Sequence, residues 1–298
     1  MRELGAAPGG VRAVSCGELL GMDIPPRSVL LSPWLTAQSL SMIVAARGVG
    51  KTHCALGIAY ALAAGGEFLG WKAPRPVRVL YVDGEMPAGT IQERLKEIFD
   101  KAEVSPDNLR IVTPDLQEPR GAMPDLATAD GRRMLDAEAR WAEVIVIDNL
   151  SCLVRNAREN EGDDWVALQT WVLQLRAEGR SVVLVHHEGR SGQPRGTSRR
   201  EDVLDIVIAL KHPDGYVATE GARFEIHFTK SRALSGEDVA PREAWLTDRV
   251  WQVKPVLAGL GAQIAELVGN GMNQAAVARQ LGVDKSTVSR HCTGSRRG

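Results

Sequence analysis

The sequence predicts an α/β fold, a mostly parallel sheet flanked by helices, followed by a small all-helical region. From Leu40 onward, short apolar runs alternate with segments of helical periodicity, and the runs are apolar on both faces, as in a covered parallel sheet. After Pro255 the strand pattern ends and three short helical patterns follow. We therefore predict an N-terminal arm at 1–27, an α/β domain at 28–254 and a helical domain at 255–298.

The predicted elements follow one another as this fold requires. The arm is rich in Gly, Ala and Pro and has weak periodicity. Short branched apolar runs predict strands at 41–45, 77–82, 109–113, 144–148 and 181–186. Helical patterns lie at 52–64, 87–101, 128–141 and 163–178. Gly65 should end the first helix, Pro87 lie in the first turn of the second, and Asp163 cap the last. The later runs 223–230 and 244–253 alternate like edge strands.

Composition excludes several classes of protein. The 298 residues carry 36 Lys and Arg against 37 Asp and Glu, a net charge of −1, so any basic surface must be local. Four scattered cysteines without C-x-x-C spacing (Cys16, Cys54, Cys152 and Cys292) form neither a disulfide framework nor a zinc site. No apolar stretch approaches the ~20 residues that a membrane span needs, and no signal-peptide core begins the chain. We expect a reduced, cytoplasmic protein with no membrane partner.

A phosphate-binding loop is predicted at Ala45-Ala-Arg-Gly-Val-Gly-Lys-Thr52, directly between a strand and a helix. In such a P-loop, backbone N–H groups at a helix N-terminus surround phosphate oxygens. Lys51 should reach the β- and γ-phosphates of ATP, and Thr52 should hold Mg²⁺. Ala45 stands where the pattern has its first glycine; the alternative is a chance Gly-Lys-Thr at a helix start. The predicted nucleotide-binding residues are Arg47, Gly48, Val49, Gly50, Lys51, Thr52 and His53.

Two carboxylates end predicted strands near this loop. Asp148 ends the apolar run Val144-Ile-Val-Ile-Asp148 about a hundred residues after the P-loop, where it could hold Mg²⁺. Glu85 follows the strand at 77–82 and could activate the attacking water as a general base. Asp83 competes with Glu85 for that role, although Glu85 lies further toward the carboxyl edge where ligands bind. Alternatively, Glu85 merely caps the helix that begins at Pro87.

Three further sets of residues are candidates for nucleotide contacts. His186 and His187 end the strand that follows the Asp148 strand and helix, and one of them could sense the γ-phosphate, since neighbouring strand residues face opposite ways. Lys230 and Arg232 end a late strand and could reach a neighbouring subunit's γ-phosphate, as an arginine finger does; the alternative is an exposed basic strand end. Arg94 could stack on the adenine.

Together these motifs resemble the RecA-like ATPases, in particular the RepA-type and DnaB-type hexameric helicases. The resemblance covers roughly residues 28–235 and rests on five motifs in matching order and spacing, Arg47-Gly-Val-Gly-Lys-Thr52, Gly84-Glu85-Met86 with Arg94-Leu95, Val146-Ile-Asp148-Asn149, His186-His187 and Lys230-Ser-Arg232. It implies ATP and Mg²⁺ as ligands, Glu85 as catalytic base, a His sensor, and Lys230 and Arg232 acting in trans. It further implies a hexameric ring that holds ATP between subunits and single-stranded DNA in its channel. The sequence lacks the large N-terminal domain of DnaB-type enzymes, which favours the RepA-like plan.

Two segments are predicted to contact DNA. Helical patterns at 262–268, 274–281 and 285–291, with Asn273 and Asp284 as caps and a turn at Gly282, have a helix-turn-helix layout and resemble the resolvase-type and sigma-factor-type modules. The last helix would present Lys285, Ser286, Thr287, Ser289 and Arg290 to duplex DNA. The loop at 188–200 carries Arg190, Arg195, Arg199 and Arg200 for phosphate contact. The alternatives are a helical module for protein contacts and a solvated basic loop.

The sequence therefore leads to two hypotheses. The first is a DNA-dependent ATPase of helicase type, acting in replication of a plasmid or other mobile element. The second is a sequence-specific DNA-binding regulator or loader whose ATP state controls assembly, since a processive helicase does not require a helix-turn-helix. A P-loop small-molecule kinase would explain neither the paired histidines nor the C-terminal module.

Overall fold

The computed structural model describes residues 11–99, 106–155, 161–188, 201–256 and 260–294. The strands in these residues are β1 (Val29–Leu31), β2 (Leu35–Thr36), β3 (Leu40–Ala45), β4 (Glu67–Phe68), β5 (Trp71–Lys72), β6 (Val79–Asp83), β7 (Leu109–Val112), β8 (Val144–Asp148), β9 (Ser181–His187), β10 (Ile206–Lys211), β11 (Arg223–Ser231), β12 (Arg242–Thr247) and β13 (Val250–Pro255). The α-helices are α1 (Cys16–Leu20), α2 (Lys51–Ala64), α3 (Ala88–Phe99), α4 (Ala129–Met134), α5 (Asp136–Trp141), α6 (Leu150–Leu153), α7 (Glu161–Ala177), α8 (Leu260–Gly269), α9 (Gln274–Leu281) and α10 (Lys285–Gly294).

A nine-stranded sheet organises the fold, in the order β13-β12-β11-β10-β3-β9-β8-β6-β7. The strands from β10 to β7 pair in parallel, and β11, β12 and β13 extend the sheet by antiparallel pairing. The P-loop strand β3 therefore lies near the middle. This confirms the predicted α/β class with its mostly parallel sheet.

Alternate residues of the parallel strands enter two separate cores, one on each face of the sheet. On β8, Val144 and Val146 join the core that contains α2, whereas Ile145 and Ile147 join the core that contains α7. The same alternation runs along β3 and β6. Each strand is apolar on both faces because helices cover both sides of the sheet.

The structure differs from the predicted elements in several places. β10 has no counterpart among the predicted strands, and it places antiparallel β11 beside the parallel part of the sheet. The single strand expected at 244–253 is a hairpin of β12 and β13, because Asp248 and Arg249 take positive φ angles and turn the chain. The helix expected at 128–141 is interrupted at Leu135, which is buried. Helix α7 begins at Glu161, so Asp163 lies within it and is not its cap.

The last three helices enclose a small apolar core of their own. Ile264 of α8, Val277 of α9 and Val288 of α10 are each at most 1% exposed. The side chain of Asn273 accepts a hydrogen bond from the N–H of Ala276 at 2.9 Å, as expected of a cap. Gly282 ends α9 with φ of 63°, a left-handed conformation that favours glycine. The sheet ends at Pro255 and α8 begins at Leu260, so the division predicted near 254–260 stays a prediction.

The first described residues, 11–29, are exposed to solvent. Helix α1 has a capping box, in which Ser15 and Glu18 exchange hydrogen bonds, but it buries none of its residues. In the part of the chain that the structure describes, every helix is too short or too polar to cross a bilayer.

Candidate nucleotide-binding site

The P-loop joins the carboxyl end of β3 to the first turn of α2. Gly48 and Gly50 have φ angles of 83° and 113°, which side chains other than glycine rarely adopt. A Cβ atom at Gly50 would also lie 3.1 Å from the ring of Phe224. Both glycines are thus required by the loop's conformation.

The position of Ala45 in β3 explains why the P-loop does not need the first glycine of the pattern. It is the last residue of β3, pairs with Leu210 and His187 on either side, and is 1% exposed. Its backbone is extended rather than left-handed, and its methyl group packs in the core beside α2. The departure from the P-loop pattern therefore leaves the turn itself unchanged.

Lys51 folds over the loop that it follows. Its Nζ donates to the carbonyl oxygens of Ala45 and Ala46 at 3.1 and 2.8 Å, and it is 6% exposed. Burial lowers the pKa of Lys51, while the nearby Asp148 and Glu85 oppose that shift. The lysine is consequently held between the phosphate-binding loop and the acidic end of the site.

Asp148 and Thr52 meet at the place expected for a metal ion. Asp148 ends β8, is 2% exposed and accepts a hydrogen bond from the hydroxyl of Tyr81 at 2.7 Å. The Thr52 side chain also hydrogen-bonds this carboxylate. Burial raises the pKa of Asp148, a cost that a cation beside it would relieve. A hydroxyl and a carboxylate are hard oxygen ligands of the kind that Mg²⁺ takes with ATP, so these residues fit that ion.

Glu85 lies near Asp148, and its carboxylate is held by Asn149, which follows strand β8. Its Oε2 accepts a hydrogen bond from Nδ2 of Asn149 at 2.7 Å. The N–H of Ala88, where α3 begins, donates instead to Asp115 at 3.0 Å. The first helical N–H is thus capped by Asp115, and the contacts of Glu85 are those of a residue in the site.

Asp83 bonds the backbone of the loop that carries Glu85 and does not line the cavity. It is 1% exposed, and its Oδ1 accepts the backbone N–H groups of Glu85 and Met86 at 2.8 and 2.6 Å. Its alignment with Asp148 across β6 and β8 places both at the carboxyl edge of the sheet. Burial raises the pKa of Asp83 to about 6, against the effect of the two N–H groups. Asp83 therefore shapes the loop that presents Glu85.

One cavity of about 660 Å³ joins these groups, a volume that suits a nucleotide-sized ligand. Most of the predicted nucleotide contacts line it, and so do five residues that were not predicted. The predicted ones are Arg47, Gly48, Gly50, Lys51, Thr52, His53, Glu85, Arg94, Asp148 and His187. The others are Met86, Asn149, Tyr216, Gly221 and Ala222. Val49 does not line the cavity, because its side chain is buried in the core.

The two histidines at the end of β9 face opposite sides of the sheet. His187 pairs with Ala45, on the α2 face, and lines the cavity. His186 pairs with Val44, which belongs to the core on the other face, and is 4% exposed. Strand alternation thus places His187, not His186, where it can meet a nucleotide.

Arg94 lies beside the cavity, whereas Lys230 and Arg232 lie apart from it. Nη1 of Arg94 lies 3.1 Å from the sulfur of Met86. Burial lowers the pKa of His53 to about 4, and the positive charge of Arg94 contributes to that decrease. Lys230 and Arg232 donate to the backbone carbonyls of Glu201 and Asp202. Within this single chain, these side chains therefore contact the two residues that directly follow the predicted basic loop at 188–200.

The predicted DNA contacts are only partly described. Arg190, Arg195, Arg199 and Arg200 lie outside the described residues, and so does the side chain of Arg290. On α10, Lys285 and Ser286 are exposed, and Thr287 and Ser289 are half-buried. The described polar positions of α10 thus differ in their access to solvent.

Three kinds of contact at this site have no counterpart in the sequence analysis. Asn149 follows the predicted metal ligand directly, yet its partner Glu85 lies 64 positions away. Tyr81 is predicted only as a strand residue. Tyr216 lies on the segment between β10 and β11, which the sequence analysis did not predict. Its ring stacks on that of His212, with the ring centroids 3.6 Å apart. An aromatic residue near two glycines, Gly215 and Gly221, was the signal available for that segment.

Replacing Asp83 by Asn is expected to stabilise the protein at neutral pH. The folded pKa of about 6 lies above the ordinary 3.8, so the folded state binds more protons than the unfolded state between these values. The stability contributed by this group is fully present below about pH 3.8 and is lost as the pH rises through about 6. The amide introduced by Asp83→Asn would stay neutral, and its oxygen could still accept both N–H groups. Thermal unfolding should give a melting temperature several degrees above wild type at pH 7.5, a smaller difference at pH 5 and almost none below about pH 3.8; equal differences at pH 7.5 and pH 5 would contradict it.

Comparison with known proteins agrees with the architecture. A crystal structure of a KaiC-like protein from the hyperthermophilic archaeon Pyrococcus horikoshii OT3 superposes with a TM-score of 0.52 over 76% of this chain and 94% of that one, at 17% identity. At that identity the likeness establishes the fold alone. No curated protein sequence gives a significant match.

The family described as an AAA domain matches residues 7–193, which is more than half of the chain. The match contains the P-loop, Glu85, Asp148 and both histidines, and it ends before β10. The matched residues include most of those that line the cavity. The chain belongs to the AAA domain family, and it has the fold of a RecA-like P-loop ATPase.

Proposed function

We propose that this ATPase is a DNA-dependent motor of the RepA-type hexameric helicases, acting in replication of a plasmid or other mobile element. The observation that carries the proposal is the combination in one chain of an ATP-sized cavity and a capped three-helix unit with a helix-turn-helix layout. A P-loop small-molecule kinase would leave the three-helix unit unexplained.

The residues of the cavity can carry out ATP hydrolysis. The P-loop amides and Lys51 would hold the β- and γ-phosphates at the N-terminus of α2. Glu85, held by Asn149, would orient the attacking water and accept its proton. Thr52 and Asp148 would hold Mg²⁺, which supplies charge neutralisation at the phosphate oxygens when it is bound. Each role uses the position that the side chain has beside the cavity.

DNA and neighbouring subunits would act through the segments around β9 and β11. His187 lines the cavity at the end of β9, one residue before the predicted DNA loop at 188–200. Lys230 and Arg232 contact the backbone where that loop ends. We infer that His187 senses the γ-phosphate and relays its presence to this DNA-binding loop. We also infer that Lys230 and Arg232 reach the ATP bound to the next subunit of a hexamer.

The last helices would attach the ATPase to duplex DNA. Gly282 makes the short turn between α9 and α10, and Lys285 and Ser286 are exposed at the start of α10. In helix-turn-helix proteins the start of the second helix contacts base edges in the major groove. Residues 255–298 carry five basic and two acidic side chains, a local charge of +3, which favours contact with phosphates.

The same three helices support a second candidate function. A sequence-specific regulator or loader would use the helix-turn-helix to choose its site and would use ATP only to control assembly. Such a protein should prefer one duplex sequence, and its ATP hydrolysis should respond little to single-stranded DNA.

ATP hydrolysis measured with and without single-stranded DNA, on protein whose mass in solution is determined in the same buffer, separates the two functions. For the motor we expect DNA-stimulated turnover by a particle of hexamer mass, and unwinding of a forked duplex. Slow, DNA-insensitive turnover by a monomer or dimer would contradict the motor and favour the regulator. Asp148→Asn protein, prepared in the same way, reports any contaminating ATPase.

A further inference from the structure

Tyr81 is buried in the apolar core, yet its hydroxyl bonds a side chain of the nucleotide cavity. The residue is 0% exposed and belongs to the core beside α2. Its hydroxyl donates to Oδ2 of Asp148 at 2.7 Å. Phenylalanine would fill the same space among apolar neighbours. The hydroxyl is thus the part of Tyr81 that packing does not explain.

The sheet register accounts for this contact. Tyr81 of β6 pairs with Val146 of β8, two residues before Asp148. Side chains two positions apart on a strand lie on the same face, so Tyr81 and Asp148 both face α2. The ring therefore extends toward the carboxyl edge of the sheet, and its hydroxyl meets the carboxylate from the protein interior.

Two hydroxyl groups then hold one carboxylate from different elements. Tyr81 contacts Asp148 from β6, and Thr52 contacts it from the first turn of α2. Hydrogen bonds to an ionised acceptor are short and strong, and more so away from water. With Oδ2 engaged by Tyr81, the carboxylate loses the freedom to rotate about its last bond. Its orientation toward the cavity is fixed before any ligand arrives.

We propose that Tyr81 is a positioning residue for Mg²⁺–nucleotide binding, which holds the Asp148 carboxylate in the orientation that a hydrated Mg²⁺ requires. The inference rests on the proposed use of the cavity as the ATP site. Groups behind the metal ligands commonly orient them and tune metal affinity. Tyr81 itself would touch neither the nucleotide nor the ion.

The test compares wild type with Tyr81→Phe in binding a fluorescent N-methylanthraniloyl ADP, first in EDTA and then across a Mg²⁺ titration. In EDTA we expect equal affinities, because the P-loop and Lys51 are untouched. In the titration, the Mg²⁺ concentration that gives half of the total change in nucleotide affinity should be about tenfold higher for Tyr81→Phe than for wild type. Tyr60→Phe is the matched control, since Tyr60 lies on α2 and does not line the cavity; it should behave as wild type.

A role in folding alone would give a different pattern. If Tyr81 merely stabilised the core, its change would lower the melting temperature and weaken nucleotide binding equally with and without Mg²⁺. A thermodynamic cycle with Asp148→Asn adds a second criterion, since adding Tyr81→Phe to that variant should change the Mg²⁺ dependence less than about twofold.

The outcomes separate this inference from the proposed function. An unchanged Mg²⁺ midpoint in Tyr81→Phe, or an equal loss in EDTA, would overturn the role of Tyr81 and leave the ATP site standing. If wild type and Lys51→Ala bound the fluorescent nucleotide equally, the cavity would not be the ATP site, and both proposals would fall.

Discussion

Replacing Lys51 by Ala is expected to abolish ATP hydrolysis. Lys51 Nζ lies between the P-loop carbonyls and the acidic end of the cavity, where it would offset the charge of the β- and γ-phosphates. Loss of one preorganised charge of this kind costs at least about 100-fold in turnover. Steady-state phosphate release at saturating ATP measures the effect.

Lys96→Ala is the matched control for this change. Lys96 is an exposed residue of α3 whose Nζ contacts Gln92, so its removal should leave turnover unchanged. Circular dichroism spectra of both variants should match the wild type, because neither lysine contributes to the sheet. Unchanged phosphate release by Lys51→Ala would show that the active site lies elsewhere.

Replacing Arg232 by Ala is expected to stop turnover while ATP binding persists. Arg232 does not line its own chain's cavity among the described residues, so the affinity for ATP should stay within about twofold of wild type. An arginine finger from a neighbouring subunit contributes to the transition state, and its loss costs about 10³-fold or more. Nucleotide titration and phosphate release on the same preparation measure the two quantities.

Mixing two inactive variants tests whether Arg232 acts in trans. Lys51→Ala keeps Arg232, and Arg232→Ala keeps an intact P-loop. In mixed rings some interfaces would contain both intact residues, so part of the activity should return only on mixing. Arg120→Ala, which removes an exposed arginine, should be fully active throughout. Loss of ATP binding in Arg232→Ala would indicate instead that the contact with the Asp202 carbonyl has a structural role in its own chain.

Local sequence signals were sufficient for much of the fold. Runs such as Val144 to Asp148 are apolar at nearly every position, which only a strand covered on both faces accommodates, and the structure buries all five residues. The P-loop was equally readable, because Gly48 and Gly50 need positive φ angles that glycine alone adopts easily. Asn273 and Gly282 marked the ends of α9 for the same local reason.

Other features depend on residues far apart in the chain. Glu85 and Asn149 are separated by 64 positions, and Tyr81 and Asp148 by 67, yet each pair is joined by a 2.7 Å hydrogen bond. No periodicity or motif encodes such a pair, because it arises only when β6 and β8 become neighbours in the sheet. The position of β10 between β3 and β11 likewise depends on strand pairing and not on a local sequence signal.

The sequence alone thus determined the class of fold and the phosphate loop, since both follow from side-chain volume, apolar periodicity and backbone angles within short segments. The tertiary structure decided which of the paired histidines faces the cavity, that Asp83 supports the loop beneath Glu85, and that Tyr81 and Asn149 hold the two carboxylates. These outcomes depend on strand register, because pairing His187 with Ala45 rather than with Val44 chooses the face on which each side chain lies.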